Sequence, residues 1–319
     1  MKLISDWKQF PADARGGVLC VGNFDGVHIG HARMLATGRD EARRRAVPFT
    51  IMTFDPHPRA ILKPGVVRQP LTTEPQRRAL LAGFSPDVLL VVPTTREFLS
   101  ISAEEFLRTI VRGDGHTGVG ATLMVEGPTF TFGKGAKGTV QMLLQSGAAC
   151  GFETIIVPTQ ECALTDLTLV KVSSTLIRWL VEHGRVADAA RALGRPYTLQ
   201  GKVVEGAKRG RAIGFPTANL ETPQLIPGPG IYAGSAAFDG QTHRAAISVG
   251  NNPTFAGTTT TVEAFLLDFD GDLYGRTIDL AFHRWVREMY AFSGVPPLVA
   301  QMKRDVDLTR RLVPLKEPA

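Results

Sequence analysis

The chain has 319 residues, enough for two domains of ordinary size, and its 44% hydrophobic content allows each a real core. A net charge of +6 is modest at this length and fits small anionic substrates as readily as nucleic acid. Cys20, Cys150 and Cys162 lack metal-ligand spacing, Met1–Trp7 shows no signal-peptide pattern, and no apolar run nears the roughly 20 residues that span a bilayer, so the expectation is a cytoplasmic protein with reduced thiols and no membrane contact.

In chain order, Gly17–Gly22 reads as a buried strand and His28–Arg45 as a helix whose end, Arg43–Arg45, is solvated. Pro48–Phe54 reads as a strand, Glu74–Gly83 as a helix and Asp87–Val92 as a continuous apolar strand. Ser102–Arg112 reads as a helix opened by a capping box, Ser102 with Glu105. Ala121–Val125, Val140–Ala149 and Thr154–Val157 continue the alternation as strand, helix and strand. Repeated strand–helix units with apolar strands predict a parallel sheet covered on both faces.

Helices Ser174–His183 and Val186–Leu193 follow, with Gly184 and Gly194 as their stops. The pattern then changes to six short strands separated by Gly, Pro and Asp: Tyr197–Val204, Pro216–Leu220, Ile231–Phe238, His243–Val249, Val262–Phe269 and Thr277–Trp285. They predict a small antiparallel barrel, closed by a helix over Pro297–Leu312. The domains are expected to divide as residues 1–185 and 186–319.

The run Gly22-Asn23-Phe24-Asp25-Gly26-Val27-His28 leaves a strand and enters a helix. A helix start offers unpaired N–H groups and partial positive charge to phosphate. His28 and His31, three apart, share a helical face, and Gly30 between them lets a ligand come close. Two imidazoles can stabilise charge on a phosphoryl group in transfer. The plainer alternative makes one histidine a cap and the other a surface residue.

His-x-Gly-His after the first strand resembles the nucleotidylyltransferase superfamily. The fuller Gly22–His31 run resembles the adenylyltransferase module of the bacterial bifunctional riboflavin kinase/FMN adenylyltransferase (FAD synthetase) family, and so do Thr53-Phe54-Asp55-Pro56-His57-Pro58 and Val172-Ser173-Ser174-Thr175-Leu176-Ile177-Arg178. The resemblance implies a Rossmann-like nucleotidylyltransferase domain and the use of Gly22, Phe24, Asp25, Gly26, Gly30, Asp55, Pro56, His57, Ser173, Ser174 and Thr175 in nucleotide binding. It implies catalytic roles for His28, His31 and Arg178. Ser173–Thr175 alone would read as a helix cap. In Gly127-Pro128-Thr129-Phe130-Thr131-Phe132-Gly133, Thr129 stands where the family has Asn or Asp, while Phe130 is retained. A hydroxyl makes fewer hydrogen bonds than an amide, which predicts slower adenylyl transfer. Lys134 and Lys137 either approach phosphate or are solvated.

Lys208-Arg209-Gly210-Arg211-Ala212-Ile213-Gly214-Phe215-Pro216-Thr217-Ala218-Asn219 is the second phosphate-site candidate. On a strand, Thr217 and Asn219 project from one face, and their oxygens suit a hard cation such as Mg²⁺ together with ATP phosphates. The alternative is an edge strand and turn. The run resembles the riboflavin kinase signature, as do Pro229–Ala233, Pro253-Thr254-Phe255 and Asp272–Gly275. The resemblance implies a six-stranded riboflavin-kinase barrel, with Lys208, Gly210, Gly214, Phe215 and Pro216 around ATP and Thr217 and Asn219 on Mg²⁺. It gives Glu263 the role of base for the riboflavin 5′-hydroxyl and places Arg287 and Phe292 near the flavin ring. Position 265 is Phe where the family often has His.

The resemblance thus implies riboflavin to FMN and FMN to FAD, both from ATP, with small-molecule substrates and no nucleic-acid or membrane partner; the sequence leaves the oligomeric state open. A kinase with a weak adenylyltransferase domain is one alternative. A flavin- or RNA-binding regulator is another, though no interleaved basic and aromatic stripe supports it.

Overall fold

The computed structural model describes residues 1–62, 65, 69–206, 209–250 and 260–315. Lys208 and the run Pro253-Thr254-Phe255 lie outside the described residues. Internal contacts divide the chain into two units, residues 1–68 with 74–161 and residues 69–73 with 162–319.

In the first unit six strands form one parallel sheet: β1 (Lys2–Ile4), β2 (Val18–Val21), β3 (Phe49–Asp55), β4 (Val88–Pro93), β5 (Leu123–Glu126) and, after the two-residue pair β6 (Thr131–Phe132) and β7 (Gly138–Thr139), β8 (Glu153–Ile156). Their spatial order is β1-β4-β3-β2-β5-β8. Side chains alternate across the sheet, so each apolar strand feeds two cores. Leu19, Val21, Met52 and Met124 join one, Val18, Cys20, Ile51 and Val125 the other. Each fully buried aliphatic side chain contributes about 1.5–3 kcal/mol. The helices are α1 (Ile29–Arg45), α2 (Pro58–Leu62), α3 (Glu74–Ala82), α4 (Ala103–Glu105) and α5 (Val140–Cys150). Helix α1 lies close on β2, because a Cβ at Gly38 would stand 2.6 Å from the Cys20 sulfur.

Strand order reverses between β2 and β5, which makes the carboxyl ends of those two strands the switch point where doubly wound sheets take ligands. The predicted strands and helices of this half are present. The helix predicted over Ser102–Arg112 is capped by Ser102, whose hydroxyl accepts the Glu105 N–H at 3.1 Å, but from Phe106 to Arg112 it winds as a π-helix. Strand β1 was not expected: it is only three residues long and gains its order by pairing with β4.

A hairpin of β9 (Glu161–Ala163) and β10 (Leu169–Lys171) precedes α6 (Ser174–Glu182) and α7 (Val186–Leu193). In the second unit β11 (Tyr197–Val204), β12 (Ala218–Glu221), β13 (Gly230–Phe238), β14 (Gln241–Gly250), β15 (Thr261–Leu266) and β16 (Thr277–Arg287) close an antiparallel barrel in the order β11-β12-β15-β14-β13-β16. A short helix, α8 (Arg209–Ala212), precedes β12, and α9 (Val295–Leu312) is the last helix of the described residues. Period-two alternation buries Val262, Ala264 and Leu266 of β15 and leaves Thr261, Glu263 and Phe265 on the other face. Residues 69–73 are built into this unit: the fully buried Gln224 amide donates to Leu71 O at 2.9 Å, and Leu225 N–H donates to Pro70 O at 3.0 Å. The side of α6 formed by Leu180 and Val181 is also buried in it, with Gly228 N–H donating to Val181 O.

Candidate active sites

The first site begins where β2 ends. Phe24, Gly26 and Val27 have φ of 48°, 84° and 38°, a left-handed conformation unfavourable for an aromatic and still more for a β-branched residue. Such residues cost about 1–3 kcal/mol each and persist only where their surroundings hold them. Here the Phe24 ring is fully buried and Val27 N–H donates to Phe24 O at 3.0 Å. The result is a tight turn that delivers the chain into α1.

His28 is the cap of that helix: its Nδ1 accepts the His31 N–H at 3.2 Å. With Nδ1 an acceptor, the proton of the neutral ring sits on Nε2, which becomes the donor. The His28 and His31 rings stack, centroids 3.6 Å apart and 15° from parallel. Burial, and secondarily His28, hold His31 well below the ordinary histidine range, so it is a neutral imidazole at pH 7. A Cβ on Gly30 would meet the His28 ring at 3.1 Å, so the space this glycine leaves is filled by that imidazole. Asn23 Oδ1 and His31 Nδ1 are buried without a hydrogen-bond partner among the described residues, which suits a ligand at this junction. Asp25 and Gly26 are buried within the turn.

Asp55, Pro56 and His57 follow β3. The Asp55 carboxylate accepts from the Arg77 guanidinium at 3.1 Å, and Arg77, itself 5% exposed, also donates to Phe54 O. Arg77 on α3 therefore fixes the position of this loop. His57 Nδ1 accepts the Arg59 N–H at 3.1 Å. After β5, Thr129 is exposed, while Phe130 is half-buried and stacks on Phe132 with centroids 5.5 Å apart. Lys134 and Lys137 are exposed.

Ser173, Ser174, Thr175 and Arg178 lie in the second unit. Ser173 caps α6, its hydroxyl accepting the Leu176 N–H at 3.2 Å. Thr175 is exposed; Arg178 is buried and donates to Ser174 O at 3.3 Å.

The barrel site is assembled across strands. Asn219 on β12 is the register partner of Glu263 on β15. Thr217, just before β12, donates its hydroxyl to Glu263 Oε2 at 3.1 Å, and Thr261 contacts the other carboxylate oxygen at 3.2 Å. Thr217, Asn219 and Glu263 are thus brought together as three oxygen-bearing side chains, each half-buried. Gly206 lies against Asn219, since a Cβ there would stand 2.1 Å from its amide nitrogen. The turn Gly210–Phe215 is closed by Phe215 N–H donating to Gly210 O at 2.8 Å. Gly214 and Pro216 are exposed, and buried Phe215 meets Phe265 edge-on at 5.1 Å. Oxygens of a hydroxyl, an amide and a carboxylate form a donor set of the kind Mg²⁺ takes alongside phosphates.

Arg287 ends β16 over the Phe292 ring, 5.8 Å from its centroid. Asp305 on α9 holds the guanidinium bidentately at 3.0 and 2.6 Å. Asp305, Thr261, Arg77 and Asn23 carry no sequence signal of their own. They emerge once neighbouring strands and helices are in register.

The first unit thus carries a histidine pair at the switch point of a doubly wound sheet, and the second a closed barrel bearing Thr217, Asn219 and Glu263. A family model described as FAD synthetase matches residues 10–176, and one described as riboflavin kinase matches residues 193–313. The bifunctional riboflavin kinase/FMN adenylyltransferase of Listeria monocytogenes is 33% identical over 298 residues, spanning 92% of this chain and 91% of that protein. Its counterpart from Pseudomonas fluorescens is 34% identical over 315 residues, 98% of each chain. A crystal structure from Streptococcus pneumoniae, described as a macrolide-efflux protein, superposes with a TM-score of 0.85 at 32% identity, covering 98% of this chain and 99% of that one. The chain belongs to the bifunctional riboflavin kinase/FMN adenylyltransferase family. Among the described residues no helix is long and apolar enough to cross a membrane.

Proposed function

We propose that the chain converts riboflavin to FMN in residues 186–319 and FMN to FAD in residues 1–185, using one ATP for each step. The observation that carries this is the presence of two unlike side-chain clusters suited to phosphate, the His28–His31 helix start and the Thr217–Asn219–Glu263 cluster, with matches to both family models along the chain.

On the barrel, Glu263 accepts the proton of the riboflavin 5′-hydroxyl as that oxygen attacks the γ-phosphorus of ATP, and ADP leaves. Thr217 keeps the carboxylate aimed. Thr217 and Asn219 would hold Mg²⁺, which when bound neutralises phosphate charge. The turn through Gly210, Gly214, Phe215 and Pro216 receives the nucleotide, and Lys208 precedes it in the same run. Arg287 and Phe292 present a cation and an aromatic face to the flavin ring.

At the first site the FMN phosphate attacks the α-phosphorus of a second ATP and pyrophosphate leaves. His28 Nε2–H and the His31 imidazole donate to oxygens on which charge builds, and Arg178 adds positive charge. Backbone amides of the Gly22–His28 turn cradle phosphate. Phe24 packs the turn in place and Gly22 leaves room for that ring, a Cβ there lying 3.0 Å from it. Asp25, Gly26, Gly30, Asp55–His57, Thr129, Phe130 and Ser173–Thr175 complete the nucleotide-binding set. Neither nucleic acid nor membrane is required, and a cytoplasmic location fits.

Incubation with riboflavin, ATP and Mg²⁺, followed by chromatographic separation of flavins, tests this. FMN and FAD are both expected. Unconverted riboflavin overturns the kinase half, and FMN supplied directly but not converted to FAD overturns the other.

A further inference from the structure

Outside the residues assigned above, one carboxyl group is buried at the switch point. Glu126 ends β5 and is 1% exposed. Backbone pairing between β2 and β5 is in register at Val18 with Leu123 and Leu19 with Met124, and goes no further. Gly17 O accepts Thr122 N–H from the β5 side, while Val18 and Gly22 N–H groups donate toward β3, to Pro48 O and Met52 O. Odd-numbered residues of β2 therefore face β5. The Val21 N–H faces it too, and its acceptor is the Glu126 side chain, Oε1 at 2.8 Å. On its other side Glu126 O accepts the Val157 N–H at 2.8 Å. The side chain replaces a rung of the ladder where the two strands part. One residue onward, Gly22 opens the loop of the histidine pair and Gly127 opens the loop of Thr129 and Phe130.

We infer that Glu126 is a positioning residue for adenylyl transfer, its carboxyl tying the loop after β2 to the loop after β5 by holding the Val21 N–H. The inference rests on the assignment of adenylyl transfer to this site.

Burial pushes the Glu126 carboxyl well above its usual range, with the Val21 N–H opposing in part. That shift favours the neutral acid. That state matters at a site for ATP and FMN, because an ionised carboxylate under the loops would repel phosphate. Of the titratable groups around it, Cys20 on β2 is a buried thiol pushed well up by burial and by Glu126 itself. Asp25, His28 and His31 stand on the turn and α1. Glu153, at the other end of β8, is exposed and paired with Arg45 at 2.7 Å. On the helices of the adjoining core, Arg108 and Arg112 are exposed, and Cys150 is half-buried.

The test compares Glu126→Gln, which keeps a neutral acceptor, with Glu126→Val, which removes it, in the full chain. FAD formation from FMN, FMN formation from riboflavin and hydrogen exchange at the Val21 amide are measured together. Glu126→Val should lower kcat/KM for ATP in FAD formation about tenfold, the effect of one lost buried hydrogen bond. It should speed Val21 exchange and leave FMN formation unchanged. Glu126→Gln should match the natural protein near neutral pH. Because burial raises the carboxyl's pKa, the neutral form gives way to the ionised one as pH rises, so FAD formation by the natural protein should fall on the alkaline side and Glu126→Gln should lack that fall. Natural kcat/KM and Val21 exchange in Glu126→Val overturn the positioning role. If Glu126→Val does not fold, Glu126→Gln decides: an alkaline limb like the natural protein's overturns the inference. A natural protein that makes FMN but no FAD overturns the site assignment, and this role with it.

Discussion

In the site we propose at the end of β2, the groups offered to a phosphate are backbone amides and two stacked imidazoles, all fixed by one turn and one helix start. On the barrel they are side chains from separate strands, converging because Asn219 and Glu263 are register partners and Thr217 reaches the same carboxylate. The first arrangement is local in sequence and held by strained backbone. The second depends on barrel closure and on hydroxyl contacts to both oxygens of one carboxylate. Each site should therefore fail independently, and each in its own way.

The largest expected separation comes from Glu263→Gln. The amide keeps shape and can still accept from Thr217, but it cannot take a proton. FMN formation should fall about 10²–10⁴-fold, the usual range for a lost general base. FAD formation from supplied FMN should be unchanged, and a parallel loss would break the comparison.

Next come His28→Ala and His31→Ala. Each removes a donor at the transferring phosphoryl and should slow FAD formation about 10²–10³-fold, with FMN accumulating. The two should differ in stability. His28 also caps α1, so its loss should cost about 0.5–2 kcal/mol in a denaturant titration. His31, whose side chain caps nothing, should show no such loss.

A smaller effect is expected at the flavin end of the barrel. Asp305→Asn keeps the packing of α9 but weakens the bidentate hold on Arg287. Hydrogen bonds to charged groups contribute about 1.5–3 kcal/mol, and because Arg287 retains some exposure, the lower end should appear in barrel stability. The KM for riboflavin should rise while FAD formation from FMN stays put. Unchanged riboflavin KM would show that Arg287 needs no anchor.

What was legible in the sequence follows the same division. The run Gly22–His31 lies in one stretch, so turn, helix start and histidine pair could all be placed without tertiary information. His28 proved to be the helix cap of the plainer alternative, yet its ring stacks on that of His31, so the two imidazoles also stand together as the other reading requires. The barrel strands were visible because inward residues alternate with period two, as in β15. Their pairing order was not, since β12 pairs with β15 rather than with β13, the strand that follows it in sequence. Thr261 and Asp305 were invisible for that reason: a Thr in a strand and an Asp in a helix acquire meaning only through what lies opposite. Glu126 was hidden differently. It ends an apolar strand, and only the early end of the β2–β5 ladder leaves an N–H for it to hold.

The smallest expected effect is at Thr129, where the chain departs from its family's pattern. Phe130 stacks on Phe132 and the Phe130 N–H donates to Gly127 O at 3.1 Å, so the loop keeps its shape around the substitution. Thr129 itself is exposed. A longer amide at this position gains a donor and an acceptor at greater reach, but in contact with water, where a neutral hydrogen bond adds only about 0.5–1.5 kcal/mol. Thr129→Asn should therefore raise the rate of FAD formation by about tenfold at most and leave the kinase untouched. Single-turnover measurement with FMN and ATP reads this directly. A gain confined to FAD formation would mark Thr129 as a residue that slows adenylyl transfer at the first site. No gain, or a loss, would mean that the loop after β5 meets the nucleotide through its backbone and Phe130 alone.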